Sequence, residues 1–295
     1  MRGAHPEREV ERAIERRGVL RPGEHVLIAC SGGPDSVALA AALHAVAKRT
    51  DLALALAFVN HGARASAWQD ECIALQLAAR FDLPLEVVAL RTRAKDEERL
   101  RTARYAALAA AAKQRGCGVL ATAHHAEDQS ETVLLALLRG AGPSGLRGMR
   151  SRLQLETGLD LARPLIGIPS EALRAYCHAK ALPYAVDPTN SERRLRRNAV
   201  REALVSLRPL FPGLDRAVAR AAELVSDEDD KTPRAQLRRS IRAQLAVEDN
   251  LRDIDFSHVE AAVRALEEGG SGTFHMKPGI ALRIERGSVR GIKRQ

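Results

Sequence analysis

Aromatic residues make up only 3% of this 295-residue chain, and tryptophan occurs once. With 45% hydrophobic residues overall, a core must be built from Ala, Leu and Val. Cysteine is also scarce. Cys30, Cys72, Cys117 and Cys177 lie far apart with no Cys-x-x-Cys, so a zinc or iron–sulfur site has no support. Thiols in apolar surroundings read instead as small core residues. No apolar run approaches the roughly 20 residues that cross a bilayer, so no membrane partner is expected. The first residues, Met1-Arg-Gly-Ala-His-Pro-Glu, lack a signal-peptide apolar region, and their acidic neighbours argue against a transit peptide. A reducing cytoplasm is the expected location. Two common nucleotide loops are missing as well. The absence of Gly-x-x-x-x-Gly-Lys-Ser/Thr argues against a Walker-type NTPase, and that of Gly-x-Gly-x-x-Gly against a dinucleotide cofactor. Acidic residues are the minority, 37 against 46 basic ones, giving a net charge of +9. The basic residues are mostly Arg, which suits phosphate contacts and base stacking and points to nucleic acid. A GC-rich genome produces the same bias, so charge alone adds modest weight.

What is present begins at residues 26–36, Val-Leu-Ile-Ala-Cys-Ser-Gly-Gly-Pro-Asp-Ser. An apolar strand runs into a glycine-rich turn, and an Ala/Leu-rich helix follows. Amide groups of such a turn, with the helix N-terminus behind them, cradle phosphate. Gly32 and Gly33 allow close backbone approach, and Pro34 suits the first helical turn, where a missing N–H costs nothing. Asp35 places negative charge beside bound phosphate, which calls for a cation between them.

Strand patterns at Val26–Cys30, Leu52–Val59, Leu85–Leu90 and Val119–Ala123 alternate with helical ones. One helix is expected to group Trp68, Cys72, Leu75 and Ala79 on a face, another Leu100, Ala103, Ala107 and Ala110. This alternation predicts an α/β domain with a parallel sheet covered by helices on both faces. From Ser170, read as an N-cap with Glu171 in the first turn, the pattern turns helical. A charged break follows at Ser226-Asp-Glu-Asp-Asp-Lys, then helices over Ala235–Ala246 and Phe256–Glu268. The end alternates like a β-hairpin about Pro278-Gly279. The domains are placed at 1–208 and at 209–295, the second smaller and mainly helical.

In an open parallel sheet, ligands bind beyond the carboxyl ends of the strands. Those ends are polar here: Ser31 to Ser36, then Asn60-His61-Gly62 with Arg64, then His124-His125-Ala126-Glu127-Asp128. Convergence of three ends on one rim is a stronger signal than any single motif. Asp128 and Glu131, three apart, share a helix face, although an acidic first turn also complements the helix dipole.

The Ser-Gly-Gly-Pro-Asp-Ser loop resembles the SGGxDS loop of the PP-loop, or N-type, ATP pyrophosphatases. The likeness extends further. Val59-Asn-His-Gly-Ala-Arg, Ala103-Arg104-Tyr105, the block His124 to Gly148, Arg163-Pro-Leu, Asp187-Pro-Thr-Asn and Arg197-Asn198 resemble, in order, the signatures of the bacterial tRNA(Ile)-lysidine synthetases. Glu127 stands where that family often has Asp, and Ala63 where it has Leu. The chain looks short against longer relatives, as if without their extra C-terminal domain.

The resemblance implies a two-step reaction. The wobble cytidine of a CAU-anticodon isoleucine tRNA is adenylated by ATP, and the ε-amine of L-lysine then displaces AMP to leave lysidine. It assigns ATP to Ser31, Gly32, Gly33, Pro34, Asp35, Ser36 and His61, with Asp35 acting through Mg²⁺. It assigns catalysis to Arg104, His124, Asp128 and Glu131, the two carboxylates holding lysine and accepting its proton. It assigns tRNA phosphates to Arg193, Arg194, Arg196, Arg197 and Asn198, where a solvated charge run is the plainer reading. A homodimer stays open. The runner-up is a tRNA-thiolating PP-loop sulfurtransferase, disfavoured by the missing cysteine pair. A non-catalytic RNA-binding protein with an ATPase-like fold is third, disfavoured by the intact loop.

Overall fold

The computed structural model describes residues 5–15, 18–60, 67–90, 97–185, 195–227, 236–241, 256–277, 280–285 and 288–294. By internal contacts the chain forms two compact units. One holds Met1–Gly140 with Gly148–Ala219, the other Ala141–Arg147 with Arg220–Gln295.

The first unit is built on a six-stranded sheet in the order β3-β2-β1-β4-β6-β5. Its strands are β1 (His25–Ala29), β2 (Ala53–Asn60), β3 (Leu85–Ala89), β4 (Val119–Ala121), β5 (Arg152–Glu156) and β6 (Leu159–Ala162). All neighbours run parallel except β5 against β6, as the α/β reading requires. The hairpin of β5 and β6 was not expected from sequence.

The strands alternate between two cores. Val26, Ile28, Leu56, Phe58, Val119 and Ala121 pack on one face. Leu27, Ala55, Ala57 and Leu120 pack on the other. Helices α1 (Pro6–Glu15), α2 (Pro34–Thr50), α3 (Ala67–Phe81) and α7 (Ser170–Ala179) supply the first core, and α4 (Glu97–Gln114) the second.

Two helix faces differ from expectation. On α3, Ala74 and Leu77 are fully buried while Trp68 and Leu75 are 62% and 50% exposed, so the predicted stripe looks outward. On α4 the buried residues are Leu108, Ala109, Ala111 and Ala112, one position away from the predicted set. Alanine-rich helices are apolar on every side, so spacing alone does not choose the face. Ser170 is not the cap either. Pro169 is the N-cap of α7, and Ser170 is its first helical residue.

Because β1 lies between β2 and β4, the chain leaves it towards β2 on one side and returns to β4 on the other. This is a topological switch point, where parallel sheets open a crevice at the carboxyl ends of their strands. The ends of β1 and β4 are held together by the pairing of Leu27 with Leu120 and Ile28 with Ala121.

The second unit contains a helix at Phe256–Glu267 and a three-stranded antiparallel sheet of β7 (Gly272–Lys277), β8 (Ile280–Glu285) and β9 (Ser288–Arg294). The predicted hairpin is the β7–β8 pair, and β9 adds an unforeseen third strand. The charged break expected at 226–231 starts inside a helix, since Ser226 and Asp227 close Leu214–Asp227, while 228–231 and 278–279 lie outside the described residues.

Candidate active site

Strand β1 is followed by the buried Cys30, and the chain turns through Ser31–Gly33 into α2. The turn is closed from within. Ser31 N–H donates to Ser36 Oγ at 3.0 Å, and Ser36 Oγ–H donates to the Gly33 carbonyl at 2.9 Å. Gly32 has φ +79°, and a Cβ there would sit 2.9 Å from Asp70 Cα, so conformation and space both require glycine. Gly33 is the N-cap of α2 and provides no side-chain cap, while Pro34 opens the helix. The amides of Asp35 and Ser36 thus have no intrahelical acceptor and are free to meet an anion.

Asp35 is partly withdrawn from solvent. Its Oδ1 is buried with no hydrogen-bond partner, and its Oδ2 lies 3.7 Å from His125 Nε2. Burial pushes its carboxyl up, opposed by the His125 charge and reinforced by Asp128. An orphaned carboxylate oxygen beside an uncapped helix end suits a hard cation carrying phosphate oxygens.

The second wall comes from β4 and α5 (Ala126–Leu138). His125 is the N-cap of α5, and its backbone N–H donates to Asp128 Oδ2 at 3.2 Å. Its ring pairs with Glu127 Oε2 at 2.9 Å and Asp128 Oδ2 at 3.4 Å. Burial opposes charging of His125, but the Glu127 hydrogen bond and the Asp128 and Asp35 carboxylates outweigh it and raise its pKa to about 9. Glu127 also accepts from the Ser170 N–H at 3.0 Å and hydroxyl at 2.9 Å. Burial again opposes its charge, yet His125 and Ser170 hold its pKa at about 2. His124 behaves oppositely. Burial, then the charges of Arg163, Arg101, His125 and Arg104, lower its pKa to about 3 and keep the ring neutral.

A cavity of about 300 Å³ opens between these walls, lined by Cys30, Ser31, Asp35, Ser36, Arg104, Tyr105, Thr122, His124 and Asp128, with apolar residues of β1, β2 and α4. It joins a phosphate-type loop, a neutral imidazole, a guanidinium and a carboxylate.

A PP-loop domain model matches residues 4–208. The tRNA(Ile)-lysidine synthase of Salinispora tropica is 41% identical over 230 residues, covering 76% of this chain and 69% of that protein. The chain belongs to the tRNA(Ile)-lysidine synthase family of PP-loop proteins. The family's Symbiobacterium thermophilum member is 38% identical over 75% of this chain, and that of Ralstonia nicotianae 41% over 67%. The chain spans about half the length of these two, 47% and 44%. Among solved structures, the U34-tRNA thiolase NcsA from Methanococcus maripaludis with its [4Fe-4S] cluster aligns with TM-score 0.64 and 21% identity, covering 75% of this chain and 78% of that one. This second likeness concerns the fold.

Of the residues singled out from sequence, Ser31, Asp35, Ser36, Arg104, His124 and Asp128 line one cavity, and Gly32, Gly33 and Pro34 shape its loop. Glu131 stands elsewhere. Its carboxylate, 4% exposed, accepts from Arg197 Nε at 2.8 Å and Arg201 Nε at 2.7 Å. Burial raises its pKa, but the two guanidiniums prevail and lower it. A carboxylate saturated by two arginines is not free to hold a lysine ammonium, so the expectation that Glu131 shares that task is revised. Arg197 is correspondingly committed to α5, from α8 (Leu195–Leu207). Asn198 lies on α8 and has a partner of its own. His61, Arg193 and Arg194 lie outside the described residues, as does the side chain of Arg196.

Sequence reasoning missed Tyr105 and Thr122, which line the cavity, and Arg163, whose charge acts on His124. Arg163 is 4% exposed, donates to the Arg150 carbonyl at 2.6 Å and leaves its Nε without a partner. The Arg163-Pro-Leu signature was the available signal for it.

Proposed function

We propose that this chain is a tRNA(Ile)-lysidine synthetase that ligates L-lysine to C2 of the wobble cytidine of CAU-anticodon isoleucine tRNA. The observation that carries the reading is the shared cavity, in which the phosphate loop and Asp35 face Arg104, His124 and Asp128. In the first step cytidine O2 attacks the α-phosphorus of ATP, and the bond to the leaving pyrophosphate breaks. The amides of Gly32, Gly33, Asp35 and Ser36 would face the charge that develops on pyrophosphate. Asp35 would hold Mg²⁺, which supplies charge neutralisation on the phosphates when bound. Arg104 faces the α-phosphate or the cytidine.

In the second step the lysine ε-amine attacks C2, the C2–O2 bond breaks, and AMP leaves. A free amine with a pKa near ~10.4 must be held as a cation and then surrender its proton. We assign both tasks to Asp128, and its position in the cavity lining supports this, with Glu127 bound to Ser170 and Glu131 to two arginines. The division 1–208 for ATP chemistry and 209–295 for tRNA holding belongs to the same proposal, with Arg193, Arg194 and Arg196 on tRNA phosphates. A thiolating reading meets a chemical obstacle: the four cysteines are all free, lie far apart in sequence and form no Cys-x-x-Cys.

The deciding experiment is ATP-dependent transfer of labelled lysine to an unmodified CAU-anticodon isoleucine tRNA transcript. Incorporation that needs ATP, lysine and tRNA together is expected. Pyrophosphate release without lysine transfer would overturn the nucleophile assignment and leave an adenylating enzyme of another kind.

A further inference from the structure

His124 is held by a residue that no sequence motif marks. Thr122 follows β4, is 8% exposed, and donates its own N–H to the Ala162 carbonyl at 2.9 Å. Its hydroxyl lies 3.0 Å from His124 Nδ1, and both side chains line the cavity. Among the described residues, these two atoms are each other's side-chain hydrogen-bond partner.

The ring of His124 is surrounded by cations: Arg101 and Arg104 from α4, Arg163 after β6, and His125 at the start of α5. A neutral imidazole carries a single N–H, on one nitrogen or the other, and the partner of the first nitrogen decides the second. If Nδ1 accepts from a hydroxyl, the proton sits on Nε2, and the nitrogen left for a ligand is a donor. That outcome matches the surroundings, because a cavity lined by Arg104 and by the first turn of α2 attracts anionic oxygens, which need donors. With the opposite tautomer a lone pair would face them.

We propose that Thr122 is a positioning residue whose hydroxyl donates to His124 Nδ1, fixing the Nε2–H tautomer so that Nε2 donates to a phosphate oxygen of the nucleotide. The identity of that oxygen rests on the ATP reading above, whereas the tautomer is a property of the free protein. No proton is transferred in this role. The ring acts as a fixed dipole aimed at charge on the α-phosphate.

The test uses the full chain labelled with ¹⁵N, reading histidine ring nitrogens by long-range proton–nitrogen correlation, with His124→Gln assigning the signal by its loss. The wild-type ring is expected as the Nε2–H tautomer, with its Nε2 signal moving on addition of ATP. Thr122→Ser should keep this pattern, and Thr122→Val, equal in shape but without the hydroxyl, should give mixed tautomers. In tRNA-dependent pyrophosphate release, Thr122→Val should lower kcat by about tenfold with a much smaller change in KM for ATP, and Ser should restore it. An Nδ1–H ring in the wild type, or a Val variant indistinguishable from wild type in spectrum and rate, overturns the proposal. If the wild type releases no pyrophosphate with tRNA, the catalytic reading falls, and the spectra alone still decide the tautomer.

Discussion

His125 Nε2 stands 3.7 Å from Asp35 Oδ2, so the helix that carries Asp128 and the first turn of α2 that carries Asp35 are joined by one imidazolium. The same nitrogen lies 3.4 Å from Asp128 Oδ2. The two carboxylates proposed for the separate half-reactions are therefore kept near one another by a shared cation, which offsets their mutual repulsion.

That arrangement predicts how stability follows pH. Folded His125 keeps its proton to about 9, while the unfolded chain releases it near 6.5. The stabilisation is complete below 6.5 and is lost as pH rises towards 9. His124 works in reverse: the unfolded chain takes a proton below 6.5 that the folded ring refuses until about 3, so stability falls on acidification through that range. Glu127 adds a further acid loss as pH drops from 4.5 through about 2. Urea unfolding across pH should give a maximum near 6.5. His125→Gln should flatten the alkaline limb, and an unchanged limb would refute the pairing.

Asp35 and Asp128 should separate by function. Asp35→Ala is expected to abolish adenylation, read as tRNA-dependent pyrophosphate release. Asp128→Ala is expected to retain ATP binding and to raise the lysine KM by at least tenfold. Equal loss of ATP binding in both variants would remove the distinction.

Gly32→Ala should damage nucleotide binding more than folding. An Ala at φ +79° costs about 1 kcal/mol, and its Cβ would displace the loop from the Asp70 backbone. Calorimetric titration with a non-hydrolysable ATP analogue should show affinity reduced by more than tenfold, with thermal unfolding shifted only a few degrees.

The arginines at 193–197 should fall into two groups. Replacing Arg193, Arg194 and Arg196 by Gln should raise the KM for tRNA and flatten its salt dependence, because each phosphate contact contributes to the salt slope. Arg197→Gln should instead lower stability by about 1–2 kcal/mol, since it unpairs one side of the buried Glu131 carboxylate. Filter binding at several salt concentrations, together with urea titration, distinguishes them.

On α3, Leu77→Ala should cost about 3 kcal/mol and Leu75→Ala under about 0.5 kcal/mol by urea unfolding, since the first is fully buried and the second 50% exposed.

That last pair marks where sequence reading ran out. The order of β1 to β4 and the loop after β1 were legible because short apolar runs end in polar residues that serve no core. The inward faces of α3 and α4 were not, since alanine satisfies either side and the choice falls to larger partners across the sheet. Strand β6 is four residues long and interrupted by Asp160, which is consumed by Arg152 at 2.6 Å rather than exposed. Within the site, Asp35, Arg104, His124 and Asp128 were legible as motif residues. The fate of Glu131 was not, because its two arginines arrive from α8, some 66 and 70 positions away. Thr122 carries no motif at all, and only folding sets it against His124.

Helix α5 is fastened at three of its residues. Glu127 is bound to the start of α7, Gln129 accepts from and donates to the Met149 backbone at 2.7 and 3.1 Å, and Glu131 is bound to α8. Asp128, between these attachments, lines the cavity. The first turn is thus ordered when the protein folds, before any substrate arrives. An ammonium entering beside Asp128 meets a carboxylate whose backbone has no freedom left to lose, so its binding entropy is confined to the ligand and a single side chain.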